Sequence, residues 1–452
     1  MIKSILLRLY GYYARFRINV LAALAWWKTR KQKPVVHFQT ARQPGQPILL
    51  AALYEKGVLR PDTRRLIEAA RERGAYVLVS NTMRIADLTQ LDGLVDCYIE
   101  RPNFGRDFGS YKTAFTHLFE QGWHQDCPRL LMLNDSIFYT SQGLDAFLDA
   151  MFGSEQDVLG STENFEHEYH LGSFCISMSG RVLRDPRFRK YWNDYTLSDI
   201  RPTVIQTGEL AFSRVLKACA ASPTQISALF GASRYIKTIS KDDELVDFTL
   251  TNHLVSPRNP WRRVSPQSTI ASLLVNHFAS VPSLAQQSDL MRRARIASAN
   301  LAESPSSRVI ATGGAGSDPS LDVQPVGPGG SDSQMIIGTI ADMRQLLRRE
   351  MADDDPRADR LLHDYVIGAL SEVFLHGSQI HQNAIVLLKM GLPIVKLDGL
   401  YRGIFNVVDM HRISSQLPED EAAELEGLLL ERPYGGDTYY GWRKMAYRLG
   451  YL

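Results

Sequence analysis

Two short polar segments, each directly after a run of apolar residues, carry residue types from which an active site could be built. The first, residues 101–109, combines two glycines with a guanidinium and a carboxylate just before a predicted helix. Glycines let a backbone approach a ligand closely, and a helix N-terminus favours phosphate, so the segment is a candidate phosphate site. The alternative is a helix cap in which Asp107 stabilises the first turn. Spacing alone leaves both interpretations open.

The second segment is the tripeptide Asn134-Asp135-Ser136, which follows the apolar run 129–133. A carboxylate at the end of a buried strand can hold a divalent cation on a diphosphate, with neutral oxygens supplied by its two neighbours. The same tripeptide is also common in turns. A cation site and a simple turn therefore both remain possible interpretations.

The surrounding elements must position these segments. Four mainly apolar runs have the length of strands, namely 47–54, 75–80, 95–100 and 129–133. Helices are predicted at 63–74 and 106–122, each ending in glycine. Strands that are apolar on both faces and alternate with helices predict an α/β fold with a mostly parallel, covered sheet. Ligands bind beyond the carboxyl ends of such strands, where both polar segments lie.

Composition and charge limit the classes of protein to consider. The chain has 452 residues, of which 44% are hydrophobic and 22% charged, and this excludes a disordered or fibrous protein. Nine basic residues precede Glu55, the first acidic residue, which leaves 42 basic and 49 acidic residues in 55–452. A basic arm on an acidic body predicts an anionic surface contacted by the arm alone. Nucleic acid is not expected as a partner, because the body would repel phosphate.

The N-terminal arm, residues 1–46, contains a predicted amphipathic helix. Its longest uncharged apolar run, 18–27, is about half of the ~20 residues that a membrane-spanning helix needs. Arg8 and Arg15 lie opposite an apolar stripe. The stripe consists of Leu6, Leu9, Tyr13, Phe16, Val20, Leu24 and Trp27. This pattern predicts a helix lying in an anionic membrane surface. The alternative is a helix packed on the protein's own body.

The rest of the chain divides at a segment rich in glycine, serine and proline. Residues 304–334 are predicted to be a flexible loop, because such a composition buries too little apolar surface to offset its ordering entropy. The loop separates a domain at 47–303 from a mainly helical region at 335–452. Four widely spaced cysteines, with no CxxC pair, are typical of a reducing compartment.

Residues 98–112 and 131–136, taken together at their separation, resemble the bacterial rhamnan synthesis protein F family of polysaccharide glycosyltransferases. Residues 157–162, 170–174 and 205–213 are similar to further stretches typical of that family, and the resemblance returns at 380–402. The sequence departs from the family pattern at Leu159, Gly172 and Leu397-Asp398. These departures bear on the sugar or the acceptor rather than on the class of reaction.

The resemblance implies a GT-A-like nucleotide-diphospho-sugar transferase fold, in which an Asp-x-Asp-like motif holds Mg²⁺ or Mn²⁺ on the donor diphosphate. Asp135 matches the position of that motif, and the resemblance implies that it is a catalytic residue and the one metal ligand. Alternatively, Asp135 contacts the donor sugar. Glu209 is the expected general base, deprotonating an acceptor hydroxyl. Its alternative is an ordinary charge at a helix start. The expected donor-binding residues are Asn103, Arg106, Asp107, Asn134, Ser136 and His170, and for His170 an ordinary structural histidine is the alternative.

The sequence thus predicts a glycosyltransferase of the hexosyltransferase type. It would move rhamnose or another hexose from a nucleotide-diphospho-sugar to a growing cell-surface polysaccharide or lipid-linked glycan. Its expected location is cytoplasmic, peripheral at the inner face of the cytoplasmic membrane. The alternative is a non-catalytic nucleotide-sugar or glycan-binding scaffold in an envelope polysaccharide assembly complex. This alternative is favoured by the Asp-x-Asp-like motif, which has only one carboxylate here, that of Asp135. A nucleotide-dependent hydrolase is disfavoured, because the chain has no GxxxxGK[ST], HExxH or GxSxG motif.

Overall fold

The computed structural model describes residues 2–252, 356–375, 378–431 and 438–451. The chain divides into two compact units: residues 1–234 together with 375–452, and residues 235–374. The predicted loop at 304–334 lies outside the described residues, as does the start of the predicted helical region at 335–355.

A mixed sheet of eight strands, in the order β1-β4-β3-β2-β5-β10-β7-β11, forms the centre of the first unit. The described strands are β1 (Val35–Gln39), β2 (Ile48–Leu53), β3 (Tyr76–Asn81), β4 (Cys97–Glu100), β5 (Arg129–Asn134), β6 (Ile137–Tyr139), β7 (Val158–Gly160), β8 (Glu163–Asn164), β9 (His170–Leu171), β10 (Cys175–Ser179), β11 (Ile226–Ala228) and β12 (Ile394–Lys396). β4, β3, β2 and β5 pair in parallel, as do β7 and β11, while β1 and β10 run in the opposite direction. The predicted mostly parallel α/β sheet is confirmed.

Helices cover this sheet. The described helices are α1 (Ile2–Thr29), α2 (Pro61–Glu72), α3 (Arg106–Glu120), α4 (Leu144–Gly153), α5 (Gly180–Arg184), α6 (Pro186–Asp194), α7 (Arg201–Val204), α8 (Ala211–Cys219), α9 (Ala232–Ile239), α10 (Asp243–Asn252), α11 (Pro356–Leu375), α12 (Gln379–Gln382), α13 (Ala384–Lys389), α14 (Val407–Ser414), α15 (Glu419–Leu430) and α16 (Gly441–Arg448). Every residue of β2, β3 and β5 is buried, because their runs are apolar on both faces. The described part of the C-terminal region is mainly helical, as predicted.

An aromatic core fixes the helix that follows β4. The Phe115 ring of α3 stacks on Trp192 of α6, with ring centroids 4.7 Å apart, and Phe108 at the start of α3 contacts both Trp192 and Phe212 of α8. Because these rings are fully buried, the first turn of α3 has a fixed position at the edge of the sheet. In the second unit, Tyr235 stacks on Phe374 with centroids 4.1 Å apart.

The N-terminal arm is partly built into the first unit. β1 pairs with β4 at the edge of the sheet, so the sheet begins at Val35, whereas the sequence placed the start of the domain at residue 47. A narrow face of α1 packs on α16, where Ala14 and Ile18 are buried against Ala446. All seven residues of the predicted apolar stripe remain exposed, from 38% for Val20 to 63% for Phe16. The helix therefore packs on the body through one face and leaves the apolar stripe in solvent.

A second, two-stranded sheet connects the C-terminal part of the first unit to the end of β5. β12 pairs antiparallel with β6, so that Lys396 lies opposite Ile137, and the Leu397 amide donates a hydrogen bond to the Ser136 carbonyl at 3.0 Å. This pairing places β12 beside the tripeptide that follows the buried strand.

Candidate functional site

The two polar segments meet at the carboxyl end of β5. The Nδ2 atom of Asn134, the last residue of β5, donates to Oδ2 of Asp107 at 3.0 Å. The other oxygen of Asp107 accepts from the Phe108 amide at 3.0 Å, in the first turn of α3. Ser136 turns back onto Asn134, and its amide donates to Asn134 Oδ1 at 3.1 Å. Asp107 thus stabilises the helix start and also links the two polar segments, while its role in donor binding stays a prediction.

Arg101 shapes the loop before α3. It is buried and donates to the carbonyls of Pro102 and Phe104, at 2.9 and 2.6 Å, and to the carbonyl of Arg106. Burial lowers its pKa to about 10, although Asp107 opposes the shift. A Cβ atom on Gly109 would lie 2.7 Å from Nη1 of Arg101, so glycine is required where the helix passes the guanidinium. Arg101 therefore fixes the conformation of the loop before α3 through hydrogen bonds to its backbone carbonyls.

The remaining predicted donor residues of this loop lie at the rim. Arg106 has a left-handed backbone with a φ of 52°, and its Nε donates to the carbonyl of Asp199 at 2.9 Å. Asp199 also accepts from the Gly105 amide at 2.7 Å, which holds the loop against the chain before α7. Asn103 is exposed at the loop surface. The loop thus offers one guanidinium and one amide toward solvent beside Asp107.

Asp135 lies at the same edge of the sheet but is directed toward the end of β2. Its carboxylate accepts a hydrogen bond from the Tyr54 amide, and its carbonyl accepts from Nη1 of Arg60 at 2.8 Å. Its charge also acts on the neighbouring Glu55, whose pKa burial raises to about 7. The Asp135 carboxylate is thus engaged with the backbone of the adjacent strand.

Lys396 enters the pocket from β12. Its Nζ donates to Oγ of Ser136 at 2.6 Å and lies 4.7 Å from the centroid of the Phe174 ring. Burial lowers the pKa of Lys396, while the charges of Asp398, Asp107 and Glu209 oppose that shift. No ion pair within 4.0 Å joins Lys396 to a carboxylate of the described residues. The ammonium group is therefore held by a hydroxyl and an aromatic face.

Glu209 faces the same pocket. The sequence placed it on a loop entering a helix, whereas the structure places it in a π-helical segment, Ile205–Leu210, continuous with α7 and α8. Such segments are frequent at functional sites. Burial raises the pKa of Glu209 to about 7, and the Asp107 charge adds to the rise while Lys396 and Arg201 oppose it. At neutral pH this carboxylate is thus poised to accept or release a proton.

Further charged residues around Glu209 were not predicted. Arg201, half-buried at the start of α7, has a pKa lowered by burial and by the nearby charge of Arg402. Asp398 accepts from His381 Nε2 at 2.6 Å and from Arg402 at 3.4 Å. Burial alone would raise the pKa of Asp398, but His381, Arg402 and Lys396 hold it well below its usual value. The renewed resemblance at 380–402 was the one sequence signal for this part of the pocket.

His170 is held by contacts within its own hairpin. It is buried on the β8–β9 hairpin, and its Nδ1 pairs with the carbonyl of Glu168 at 2.8 Å. Burial lowers its pKa, and the charges that act on it are those of His167, Glu166 and Glu168 in its own loop. The short strand β9 that carries His170 lies against the π-helical segment that carries Glu209, and a role of His170 in donor binding stays a prediction.

Each residue of the tripeptide at the end of β5 makes a contact within the protein. The described residues include no group of three or more histidine, cysteine or acidic side chains able to hold a metal ion. Asp135 contacts the Tyr54 amide, the Asn134 amide contacts Asp107, and the Ser136 hydroxyl accepts from the Lys396 ammonium. The cation in contact with Ser136 is thus a group of the protein itself.

Together, the fold and the pocket describe an α/β protein with charged residues gathered at the carboxyl edge of a mostly parallel sheet. Residues 76–220 match the family model described as rhamnan synthesis protein F, and the predicted resemblance is confirmed for that segment. The matched segment contains Asp107, Asn134, Ser136 and Glu209, whereas the stretch at 380–402 lies outside it. The similarity of this segment is to a family named for rhamnan synthesis.

A curated relative, the uncharacterized protein y4gN of Sinorhizobium fredii, is 27% identical to the chain over 143 residues. The similarity covers 30% of this chain and 37% of the relative, so the chain spans well under half the length of that protein. None of the described helices is long and apolar enough to cross a membrane.

Proposed function

We propose that this protein is a glycosyltransferase of the hexosyltransferase type that uses a nucleotide-diphospho-sugar donor, with a GT-A-like arrangement of sheet and site. The observation that carries the proposal is the pocket at the end of β5, which joins a half-buried carboxylate, Glu209, to the cations of Lys396, Arg201 and Arg402. Sugar transfer needs both kinds of group: a base for the acceptor hydroxyl and positive charge beside the diphosphate leaving group.

Each group in the pocket has a task in this reaction. Glu209, with a pKa of about 7, takes the proton of the acceptor hydroxyl as the new glycosidic bond forms. Lys396 stabilises the negative charge that develops on the departing nucleoside diphosphate. Asp107 and Asn134, hydrogen-bonded to each other, form a rigid wall that positions the donor. Arg106 and Asn103 lie at the rim, where a nucleotide would enter.

A donor screen tests the proposal. Purified protein is incubated with a set of nucleotide-diphospho-hexoses, including rhamnosyl donors, and with a glycan acceptor, and release of nucleoside diphosphate is measured. Release with one donor, lost in Glu209→Gln, is the expected result. Donor binding without any release in the wild type would favour the alternative, a non-catalytic nucleotide-sugar or glycan-binding scaffold.

The exposed stripe of α1 supports a membrane surface as partner and a lipid-linked glycan as acceptor. Phe16 and Leu24, both more than half exposed, lie on the face opposite Ala14 and Ile18, which pack on the body. An apolar face flanked by basic residues can lie in the interface of an anionic membrane. Ile200 packs against the same small cluster as Ala14 and directly precedes Arg201 of the pocket. The helix therefore lies beside the site, as an acceptor held at the inner face of the cytoplasmic membrane would require.

Vesicle flotation tests the membrane proposal. Wild-type protein should float with vesicles containing anionic lipid, and the double variant Phe16→Ser and Leu24→Ser should bind more than tenfold more weakly, because each lost side chain contributes about 1.5–3 kcal/mol of apolar transfer. Val58→Ser with Val408→Ser, which removes two exposed valines outside α1, is the matched control. Equal flotation of the two double variants would refute a membrane role for the stripe.

A further inference from the structure

The positive charge in the pocket belongs to the protein itself. Lys396 reaches Ser136 across the β12–β6 pairing, with 2.6 Å between Nζ and Oγ. That hydroxyl belongs to the tripeptide where a family of this kind is expected to place its metal ion. The groups around it are already engaged, because Asn134 contacts Asp107 and Asp135 contacts the Tyr54 amide.

We propose that this pocket binds the diphosphate of its donor through the side chains of Lys396, Arg201 and Arg402, without a divalent cation. The inference rests on the proposed function, because it assumes that a nucleoside diphosphate occupies the pocket. It specifies how the diphosphate charge is neutralised. It also replaces the expected Mg²⁺ or Mn²⁺ at Asp135 by three cations of the chain.

Lys396 differs from a lysine that serves only to hold the fold together. Lys112 is such a structural lysine, and its Nζ donates to the carbonyls of Asn193 and Tyr195, at 3.0 and 2.6 Å. Among the described residues, Lys396 has one hydrogen-bond acceptor, the Ser136 hydroxyl, and an ammonium group carries three donors. The lysine therefore retains the capacity to bind oxygens of a ligand.

Arg201 and Arg402 are the other two cations whose charges act on Glu209. The described residues give the half-buried side chain of Arg201 neither a hydrogen bond nor an ion pair within 4.0 Å. Burial and the charges of Arg402 and Arg106 lower its pKa, and the charges of Asp398 and Glu209 raise it. Arg402 contacts Asp398 at 3.4 Å through one of its two terminal nitrogens. Guanidinium groups bind phosphate through paired N–H donors. Three carboxylates, those of Glu209, Asp398 and Asp107, also act on these cations, so the capacity to bind phosphate lies in the remaining N–H donors rather than in a net positive charge.

Binding of nucleoside diphosphates to the full chain tests the inference. Uridine, guanosine and thymidine diphosphates are titrated by calorimetry in buffer with EDTA and again with Mg²⁺ or Mn²⁺. We expect one of them to bind with an affinity that changes by less than about threefold between the two buffers. Lys396→Met, which keeps the apolar stem, should weaken binding at least tenfold, or about 1.4 kcal/mol. Lys396→Arg should recover most of the loss.

The control is Lys190→Met, because Lys190 is an exposed lysine that pairs with Asp194 on the surface of α6. Arg402→Met provides a second removal of charge, and thermal unfolding of each variant establishes that it is folded. Binding that requires Mg²⁺ or Mn²⁺, or binding in EDTA that Lys396→Met and Arg402→Met leave unchanged, would overturn the inference while retaining the donor site. No binding of any diphosphate in either buffer would remove the proposed function itself.

Discussion

Replacing Glu209 by glutamine should change both the rate of sugar transfer and its dependence on pH. With a pKa of about 7, roughly one tenth of the Glu209 side chains are ionised at pH 6 and roughly nine tenths at pH 8. A general base acts in its ionised form, so wild-type turnover should rise about tenfold between these pH values. Glu209→Gln should lower turnover by about 10²- to 10⁴-fold and remove the rise, while donor affinity stays nearly unchanged.

The charges near Glu209 predict in which direction its pKa should shift when a neighbour is replaced. Asp107 raises the pKa of Glu209 and Lys396 lowers it. The midpoint of the pH–turnover curve, measured on the residual activity of each variant, should therefore move to lower pH in Asp107→Asn and to higher pH in Lys396→Met. The assay is release of nucleoside diphosphate at saturating donor, from pH 5.5 to 9. An unchanged rise in Glu209→Gln would exclude Glu209 as the base, and equal midpoints in all variants would contradict the electrostatic argument.

Stability provides a second measurement of the same pKa. Glu209 titrates near 4.5 in the unfolded chain and near 7 in the folded one, so the folded state binds this proton more tightly. The wild type therefore loses stability as pH rises from about 4.5 to 7, relative to Glu209→Gln. The pKa difference sets an upper limit of about 3 kcal/mol, and solvent access to the half-buried carboxylate reduces this to about 1–2 kcal/mol. Urea unfolding at pH 4 and pH 8 should show the variant more stable only at pH 8.

Two further predictions concern the framework of the pocket, and urea unfolding measures both. Asp135→Ala should lower the free energy of unfolding by about 1–3 kcal/mol, because the Tyr54 amide loses its hydrogen-bond acceptor. Asp135→Asn retains an acceptor for that amide and should lose less stability. Equal losses in the two variants would show that this hydrogen bond is unimportant. Gly109→Ala should cost about 1–3 kcal/mol, because the new Cβ would lie 2.7 Å from Arg101 Nη1. Gly427→Ala, whose Cβ meets nothing within 4 Å, is the control and should be neutral or stabilising, so a similar loss in both variants would contradict the steric argument.

The interior of the sheet could be predicted from the sequence because burial on both faces leaves an unbroken apolar run. β2, β3 and β5 begin and end within about two residues of their predicted limits. β1 could not be recognised in this way, since four of its five residues are exposed at the sheet edge. Its assignment depends on pairing with β4, about 60 residues away, and local pattern carries no information on such a partner.

In the pocket too, some residues could be placed from local sequence pattern, and others depend on pairing between distant segments. Asp107, Asn134 and Ser136 could be predicted to lie together because the carboxyl ends of parallel strands meet at one edge of a sheet. The contribution of Lys396 depends on the β12–β6 pairing, which no periodicity in the sequence specifies. The π-helical segment that carries Glu209 was likewise missed. There Gly208 packs on Phe108, with 3.0 Å between the nearest ring atoms and an added Cβ, a contact set by tertiary packing.

Lys396 is translated long after Ser136, and this order affects when the pocket is complete. Ser136 and Lys396 are 260 positions apart, yet they form one hydrogen bond of the pocket. While a ribosome is still translating the middle of the chain, β2, β3, β4 and β5 are already available to pair, but the ammonium group is not. A nascent or prematurely terminated chain would hold Asp107, Asn134, Arg201 and Glu209 but lack Lys396 and Arg402. Under the proposed function, two of the three cations that bind the diphosphate are added only with the C-terminal part, so incomplete copies would bind the donor more weakly.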